Sequence, residues 1–176
     1  NNFSVARVNQ ELPNRSAVGA IVVNRQGTGE LAPPDDFNRS YAVDGRLGLG
    51  DNGLLSGFAA RTSTPGADGA QHAYRLSSAY NSQAWTLGLG FTEVADDFNP
   101  EVGFLSRRAF RKLDASAFYR YRPADFGPFH ELRPHVSMRS FWDLDGFHET
   151  FYMHMDQHWE MKAGHEFHTG FNLTRE

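Results

Sequence analysis

The eleven residues Gln83–Glu93, QAWTLGLGFTE, alternate strictly between large apolar and small side chains. The odd positions are Trp85, Leu87, Leu89 and Phe91, whereas the even positions hold only alanine, glycine and threonine. Successive side chains of a β-strand point to opposite faces, so period-two alternation is typical of a strand with two different environments. A helix would instead repeat its apolar residues every three to four positions. We therefore predict a strand here, with one apolar face.

The same alternation recurs in 38–49, 113–122 and 147–162, and clusters of Gly, Pro, Asn and Asp separate these segments. Helical spacing is nearly absent, because the best helical candidate, 106–117, carries Arg and Lys on every face. The pattern predicts about ten strands. These are 3–12, 16–26, 37–50, 54–63, 70–80, 83–93, 103–122, 129–142, 147–161 and 165–175.

Many of these strands are longer than the roughly 5 to 6 residues usual in soluble sheets, and they match tilted membrane-spanning strands. The first six connections alternate between short turns and long loops. Antiparallel hairpins place successive connections at opposite ends of a sheet, so tight turns collect at one end and long loops at the other. This asymmetry is typical of outer-membrane barrels. The predicted fold class is all-β, with antiparallel up-and-down strands forming a segment of an outer-membrane β-barrel.

The chain starts and stops within predicted strands, so we expect residues 1–176 to form one segment of a larger barrel domain. Its 17 Lys and Arg and 21 Asp and Glu residues are scattered, and the net charge of -4 provides no basic field for nucleic acid. The absence of Cys excludes disulfides, thiolate metal sites and a cysteine nucleophile. The 17 glycines and 14% aromatic content also fit a soluble β-domain in an assembly, which remains an alternative.

Three blocks of the sequence resemble those of a known protein family. They are NFSVARV (2–8), ELPNRS (11–16), VGA (18–20) and VNRQ (23–26), then DFNPEVGFLSRR (97–108), then HWE (158–160), GHE (164–166) and TGFN (169–172). These blocks resemble the sequences of an uncharacterised bacterial family. Its members have an N-terminal carbohydrate-binding-module family-9-like domain and a C-terminal outer-membrane β-barrel. The resemblance implies an outer-membrane location, contact with membrane lipid and lipopolysaccharide, and an oligosaccharide ligand. It supplies no catalytic residues, and the carbohydrate-binding domain lies outside these residues.

The motif His154-x-Asp156-x-His158 is the sharpest metal-like pattern in the chain. On a strand the three side chains share one face, but the two histidines stand about 13 Å apart. One ion would therefore need a bulge or a ligand from another strand, with His148, His165 and His168 as neighbours in sequence. We interpret the motif as part of a water-facing polar row in the lumen, and we expect no cofactor. This row comprises His148, His154, Asp156, His158 and Glu160.

One basic cluster stands out, and it consists of Arg107, Arg108, Arg111 and Lys112. It could bind an anionic ligand in the lumen or contact lipopolysaccharide phosphates at the surface. We favour a ring of charges paired with acids such as Asp114 and Glu101.

The sequence favours a pore or surface scaffold that handles carbohydrate or another solute through a polar lumen. A membrane anchor for a cell-surface carbohydrate-active hydrolase is the runner-up. Such a hydrolase needs a carboxylate pair, but the adjacent acids Asp35-Asp36 and Asp96-Asp97 point apart on an extended backbone. We therefore expect no catalytic residues in this segment.

One substitution pair tests the two-faced strand. Leu89→Arg on the apolar face is expected to cost about 2 to 4 kcal/mol of folding free energy at mid-membrane, whereas Thr86→Arg on the other face is expected to be tolerated far better. Urea titration of both variants in lipid vesicles measures the difference. Equal losses in the two variants would contradict the assignment of faces.

Overall fold

The computed structural model describes residues 1–33 and 35–176 and contains one antiparallel sheet of ten strands. The all-β, up-and-down fold class is thus confirmed. The strands are β1 (Asn2–Leu12), β2 (Ser16–Gln26), β3 (Phe37–Leu49), β4 (Gly53–Ser63), β5 (His72–Asn81), β6 (Trp85–Val94), β7 (Phe110–Tyr119), β8 (Phe129–Trp142), β9 (His148–Met161) and β10 (Glu166–Arg175).

Each strand pairs with its neighbours in chain order, from β1 to β10. Within the described residues β1 pairs only with β2, and β10 only with β9, so the sheet is open at both edges. Pro34, which belongs to the predicted loop 27–36, lies outside the described residues. In the part of the chain that is described, no helix has the length and apolar character needed to cross a bilayer.

The seventh strand differs from the prediction, since it begins at Phe110 rather than at residue 103. Ala109 has a φ of 56°, a left-handed conformation that interrupts extended pairing just before β7. The preceding residues 95–109 form a loop instead. Its side chains Ala95 and Phe98 are buried against the sheet, and Leu105 packs on the same cluster. Burial of apolar side chains thus favours a folded loop over a longer strand here.

Antiparallel pairing places the connections at alternate ends of the sheet. We call the end that carries loops 27–36, 64–71 and 95–109 the loop end, and the opposite end the turn end. The first three turns at the turn end, 13–15, 50–52 and 82–84, are short, as predicted. The later connections depart from this regularity: 120–128 is long although it lies at the turn end, and 143–147 is short although it lies at the loop end.

The register assigns every strand residue to one of two faces, because residues directly opposite each other point the same way. Leu89 lies opposite Ser78 of β5 and Ala115 of β7. We call the face that carries Leu89 the apolar face and the other the polar face. The apolar face leaves large side chains in contact with solvent, for example Leu89 at 52% exposure, Leu76 at 56% and Val43 at 58%.

Loop 95–109 folds over the polar face at the loop end. Its small core packs against Ala73 and Val94, which lie opposite each other on that face. Asn38 of β3 is 1% exposed, and its Nδ2 donates to the carbonyl oxygen of Asn99 at 2.7 Å. Arg25 of β2 binds Glu101 at 2.7 Å. The loop is therefore held on the polar face by β2 and β3 as well as by β5 and β6.

Replacing Asn38 tests this anchoring. Asn38→Ala removes a buried amide that donates two hydrogen bonds, to Asn99 and to Thr64, and we expect a loss of about 1 to 3 kcal/mol in unfolding free energy. Loop 95–109 should then be cut faster by trypsin at Arg107 and Arg108. The matched control is Asn52→Ala in an exposed tight turn, which should leave the cleavage rate unchanged. Equal cleavage rates for the two variants would show that Asn38 does not hold the loop.

Candidate functional site

The apolar face carries a belt of aromatic side chains near the turn end. Trp85 and Tyr119 have ring centroids 4.4 Å apart, and Tyr119 and Tyr121 are 6.2 Å apart. Farther along the same end, Phe129 and Trp159 lie 5.6 Å apart. Aromatic side chains with polar edges favour the boundary between hydrocarbon and water.

A second belt lies on the same face near the loop end. Tyr74 and Phe91 are 6.1 Å apart, and Trp142 stacks on His148 at 5.2 Å. The register and the contacts also assign several charged residues and histidines to this face. All of them lie at the level of this belt or nearer the loops. They are Arg39, Arg61, His72, Glu93, Arg111, His148 and Arg175.

Between the two belts, no Asp, Glu, Lys, Arg or His of the described strands faces the apolar side. The intervening positions are mainly aliphatic, such as Leu87, Leu89, Val136 and Met155. This band runs across the whole sheet, which is far wider than an isolated apolar patch on a soluble monomer.

The polar face carries ion pairs that cross between strands. Arg75 of β5 makes two parallel hydrogen bonds with Asp114 of β7, each 3.1 Å long, and Lys112 approaches the same carboxylate at 3.0 Å. On β1 to β3, Arg7 pairs with Asp44 at 2.8 Å. The charges of this face thus compensate each other locally.

Glycine makes room for these pairs on the strand between the partners. A Cβ atom added to Gly90 of β6 would lie 2.6 Å from both Asp114 Oδ2 and Arg75 Nη2. A Cβ atom on Gly19 would similarly meet the carboxylate of Asp44 at 2.9 Å. The small residues on the even positions of β6 are therefore explained in part by the side chains that cross over them.

A histidine cluster lies on the polar face of β8 and β9, centred on Asp156. The Oδ2 atom of Asp156 lies 3.3 Å from Nε2 of His158, 3.9 Å from Nε2 of His154 and 4.0 Å from Nε2 of His135. The Asp156 side chain is 14% exposed. The three imidazoles thus converge on a single carboxylate oxygen.

Ion pairs and hydrogen bonds surround this histidine cluster. Nδ1 of His158 lies 3.1 Å from Oε1 of Glu166, which also pairs with Arg133. Arg133 lies 3.8 Å from Glu160 and also approaches Glu131, whose side chain is 2% exposed. Glu160 therefore belongs to the same face as the histidine cluster.

Four of the five residues predicted for the polar row lie together, but His148 does not. Its Nε2 is 2.7 Å from Oγ of Ser140, and its ring stacks on Trp142, so it belongs to the apolar face near the loop end. The register between β8 and β9 shifts between Phe141 and Trp142, which leaves an extra residue, Glu149, in β9. A bulge of one residue reverses the face of the residues on one side of it.

The same shift explains why the sequence did not predict that His135 belongs to this cluster. Trp142 lies opposite His148. If that register continued without interruption, His135 would lie opposite Met155. The bulge instead brings His135 opposite Asp156. The alternating polar residues Arg133, His135 and Ser137 indicate that His135 lies on a polar face, but they do not predict the bulge.

The predicted basic cluster is divided between several surroundings. Arg107 pairs with Glu149, and Lys112 pairs with Asp114 on the polar face, as the charge-ring interpretation requires. Arg111 instead pairs with Glu93 on the apolar face at 2.6 Å. Glu101 pairs with Arg25 rather than with the cluster, and Arg108 is exposed in the loop. The four residues therefore do not form one anion site.

The paired acids Asp96 and Asp97 join two loops at the loop end. Asp97 Oδ2 accepts the backbone N–H of Gly69 at 2.7 Å, and Asp96 Oδ1 accepts that of Ala70 at 3.1 Å. Both carboxylates thus act as acceptors for a neighbouring loop and do not form an acid and base pair.

Comparison of the chain with protein-family models, with curated proteins and with solved structures finds no match. The chemistry of the two faces therefore carries the functional interpretation.

The ion pairs of the polar face yield a stability prediction. Asp114→Asn leaves Arg75 and Lys112 without their anion, and we expect it to lower the unfolding free energy by about 1.5 to 3 kcal/mol. Urea titration followed by tryptophan fluorescence measures this change. Asp51→Asn, in an exposed tight turn, is the control and should change stability by less than about 0.5 kcal/mol. A neutral Asp114→Asn variant would mean that this pairing does not contribute to stability.

Proposed function

We propose that this sheet is part of the wall of a bacterial outer-membrane β-barrel, with a polar lumen that handles a small polar solute. The observation that carries the proposal is the difference between the two faces. One face has no charged side chain or histidine between its aromatic belts, and the other carries crossing ion pairs. In the proposed wall, lipid acyl chains contact the apolar face and water contacts the polar face.

The energetics support this orientation. A charged Lys or Arg side chain on the lipid face costs about 2 to 4 kcal/mol at the bilayer midplane and little near the interfaces. The charges on the apolar face, such as Arg61 and Glu93, lie at the loop end, where that cost is small. The reverse orientation would bury the Arg75–Asp114 pair in hydrocarbon.

The spacing of the belts sets the height of the apolar band. Trp85 and Phe91 are six positions apart on β6, about 20 Å along the strand, and Phe151 and Trp159 are eight apart on β9, about 26 Å. Strands tilted by about 35° to 45° would reduce these spans to about 14 to 21 Å along the bilayer normal, so the band between the belts fits inside the roughly 25 Å apolar layer of outer-membrane barrels.

The open edges require partners in a membrane. Backbone N–H and C=O groups at the free edges of β1 and β10 have no water to bond in hydrocarbon. Further strands, or another copy of the chain, must therefore pair with both edges if the sheet is inserted. We accordingly propose that these ten strands act as a segment of a closed barrel.

Carbohydrate is the solute class that we propose, and this choice rests on the sequence resemblance. Hydroxyl groups on the polar face are compatible with it, since Ser56 and Ser77 lie 3.1 Å apart and Ser116 lies opposite Ser137. Loop 95–109 covers part of this face at the loop end and would narrow the opening there.

Lipopolysaccharide is the lipid partner that we propose at the loop end. Arg39, Arg61 and Arg175 lie on the apolar face at that end. If the long loops point outward, these arginines lie at the depth of the phosphate groups of the outer leaflet. Guanidinium groups form paired hydrogen bonds with phosphate oxygens. These residues replace the 107–112 cluster in the proposed contact.

Neighbouring cysteines on β7 test the orientation, because the chain has no cysteine of its own. Ser116 faces the polar side and Ala115 the apolar side of the same strand. In intact outer membranes we expect a charged, membrane-impermeant thiol reagent to modify Ser116→Cys readily and Ala115→Cys hardly at all. In planar bilayers, modification of Ser116→Cys should alter single-channel conductance.

Both variants should react equally in urea, which controls for intrinsic thiol reactivity. Modification of both sites in membranes, or purification of the protein without detergent, would favour a soluble β-domain. Release of reducing ends from polysaccharide without any conductance would favour the anchor of a hydrolase.

A further inference from the structure

We propose that His135, His154, Asp156 and His158 bind one divalent transition-metal ion of the zinc class on the polar face. The ligand atoms of His135, Asp156 and His158 all lie within 4.8 Å of one another. His154 lies outside this compact group, but its Nε2 is 3.9 Å from the central Asp156 oxygen, so we propose it as the fourth ligand. This site goes beyond the proposed function, because it depends on the β8–β9 register and not on a membrane.

Hydrogen bonds outside the cluster fix the tautomers of two histidines. Nδ1 of His154 lies 2.7 Å from the side-chain oxygen of Asn172, which can only accept, so Nδ1 carries the proton. Nδ1 of His158 likewise donates to a carboxylate oxygen of Glu166 at 3.1 Å. In the neutral imidazoles Nε2 then carries a lone pair, and both lone-pair atoms face Asp156. Metal-binding histidines are oriented in this way by their outer partners.

Two atoms of the cluster lack hydrogen-bond partners. Oδ1 of Asp156 and Nδ1 of His135 are buried and find no partner among the described residues. A carboxylate surrounded by the lone pairs of neutral imidazoles is repulsive, and a buried unpaired charge is costly. A cation bound among these side chains would neutralise the carboxylate and accept the imidazole lone pairs.

The separations favour an ion over direct contacts. Charge-assisted hydrogen bonds between nitrogen and oxygen are about 2.7 to 2.9 Å long. The three Nε2–Oδ2 distances are 3.3, 3.9 and 4.0 Å. Ligand atoms bound at about 2.0 to 2.1 Å in a tetrahedron lie about 3.3 Å apart. His135, Asp156 and His158 therefore need only small side-chain movements to bind one ion, whereas His154 needs a larger one.

The donor set selects the metal. Imidazole nitrogens suit zinc, copper and nickel, whereas calcium and magnesium prefer oxygen ligands. Four protein ligands leave no open position for a substrate, which is typical of structural rather than catalytic zinc sites. The ion would therefore join β8 to β9 on the polar face.

A second group, His158, Glu166 and His168, competes for the same metal. Glu166 is already paired with Arg133 and orients Nδ1 of His158, so it serves better as an outer partner than as a ligand. His168 is also half-exposed. The site centred on Asp156 is therefore the better candidate.

Titration of the chelator-stripped, purified protein with Zn²⁺, followed by calorimetry and elemental analysis, tests the site. We expect one tightly bound ion per chain, and Co²⁺ should give the intense visible absorption of tetrahedral coordination. His135→Gln and Asp156→Asn should each weaken binding by more than the roughly 10- to 100-fold that loss of an outer hydrogen bond costs.

Outer-partner and control variants sharpen the test. Asn172→Leu removes the acceptor of His154 and should weaken binding by about 10- to 100-fold, whereas Asn172→Asp keeps an acceptor and should restore it. His165→Gln, in the exposed β9–β10 turn, should bind as the unmodified protein does. Far-UV circular dichroism checks that each variant is folded.

Three outcomes would overturn the site. The first is absence of stoichiometric binding to the unmodified protein, a result that needs no variant. The second is unchanged binding by folded His135→Gln. The third is loss of the metal in His168→Gln with retention in His135→Gln, which would move the ion to the competing group.

Discussion

The continuous antiparallel register from β1 to β10 is the constraint on which the other features depend. Because side chains alternate with a period of two, one register position assigns all residues of a strand to a face. Leu89 opposite Ala115, and Asp114 opposite Gly90, follow from the same pairing of β6 with β7. The apolar face and the ion pairs of the polar face would both be disrupted if this pairing slipped by one residue.

One of the two irregularities in the β8–β9 register has two consequences. The bulge at Glu149 turns His148 towards Trp142 in an aromatic belt and leaves His154 and His158 on the polar face. It also brings His135 opposite Asp156. Bulges are common next to functional sites because they re-aim side chains without breaking the sheet. The histidine cluster is thus a product of pairing geometry as much as of composition.

On the polar face, positive and negative side chains lie close together and compensate each other's charge. Arg75, Lys112 and Asp114 form one group of linked charges, and Arg133 links the acids near the histidine cluster. Loop 95–109 covers the loop end of this face through a buried amide and a small apolar core. A face built in this way is polar, yet most of its charges are paired.

The sequence alone determined the fold class, the strand positions within a few residues and most of the face assignments. It could do so because period-two alternation and turn residues act locally, as in Gln83–Glu93. It did not determine where β7 begins, because burial of Phe98 and the left-handed Ala109 are set by packing of the loop. Only the tertiary structure separated His148 from His154, split the 107–112 cluster between the two faces and brought His135 to Asp156. Each of these depends on a cross-strand register, and a bulge of one residue changes that register without a recognisable local pattern.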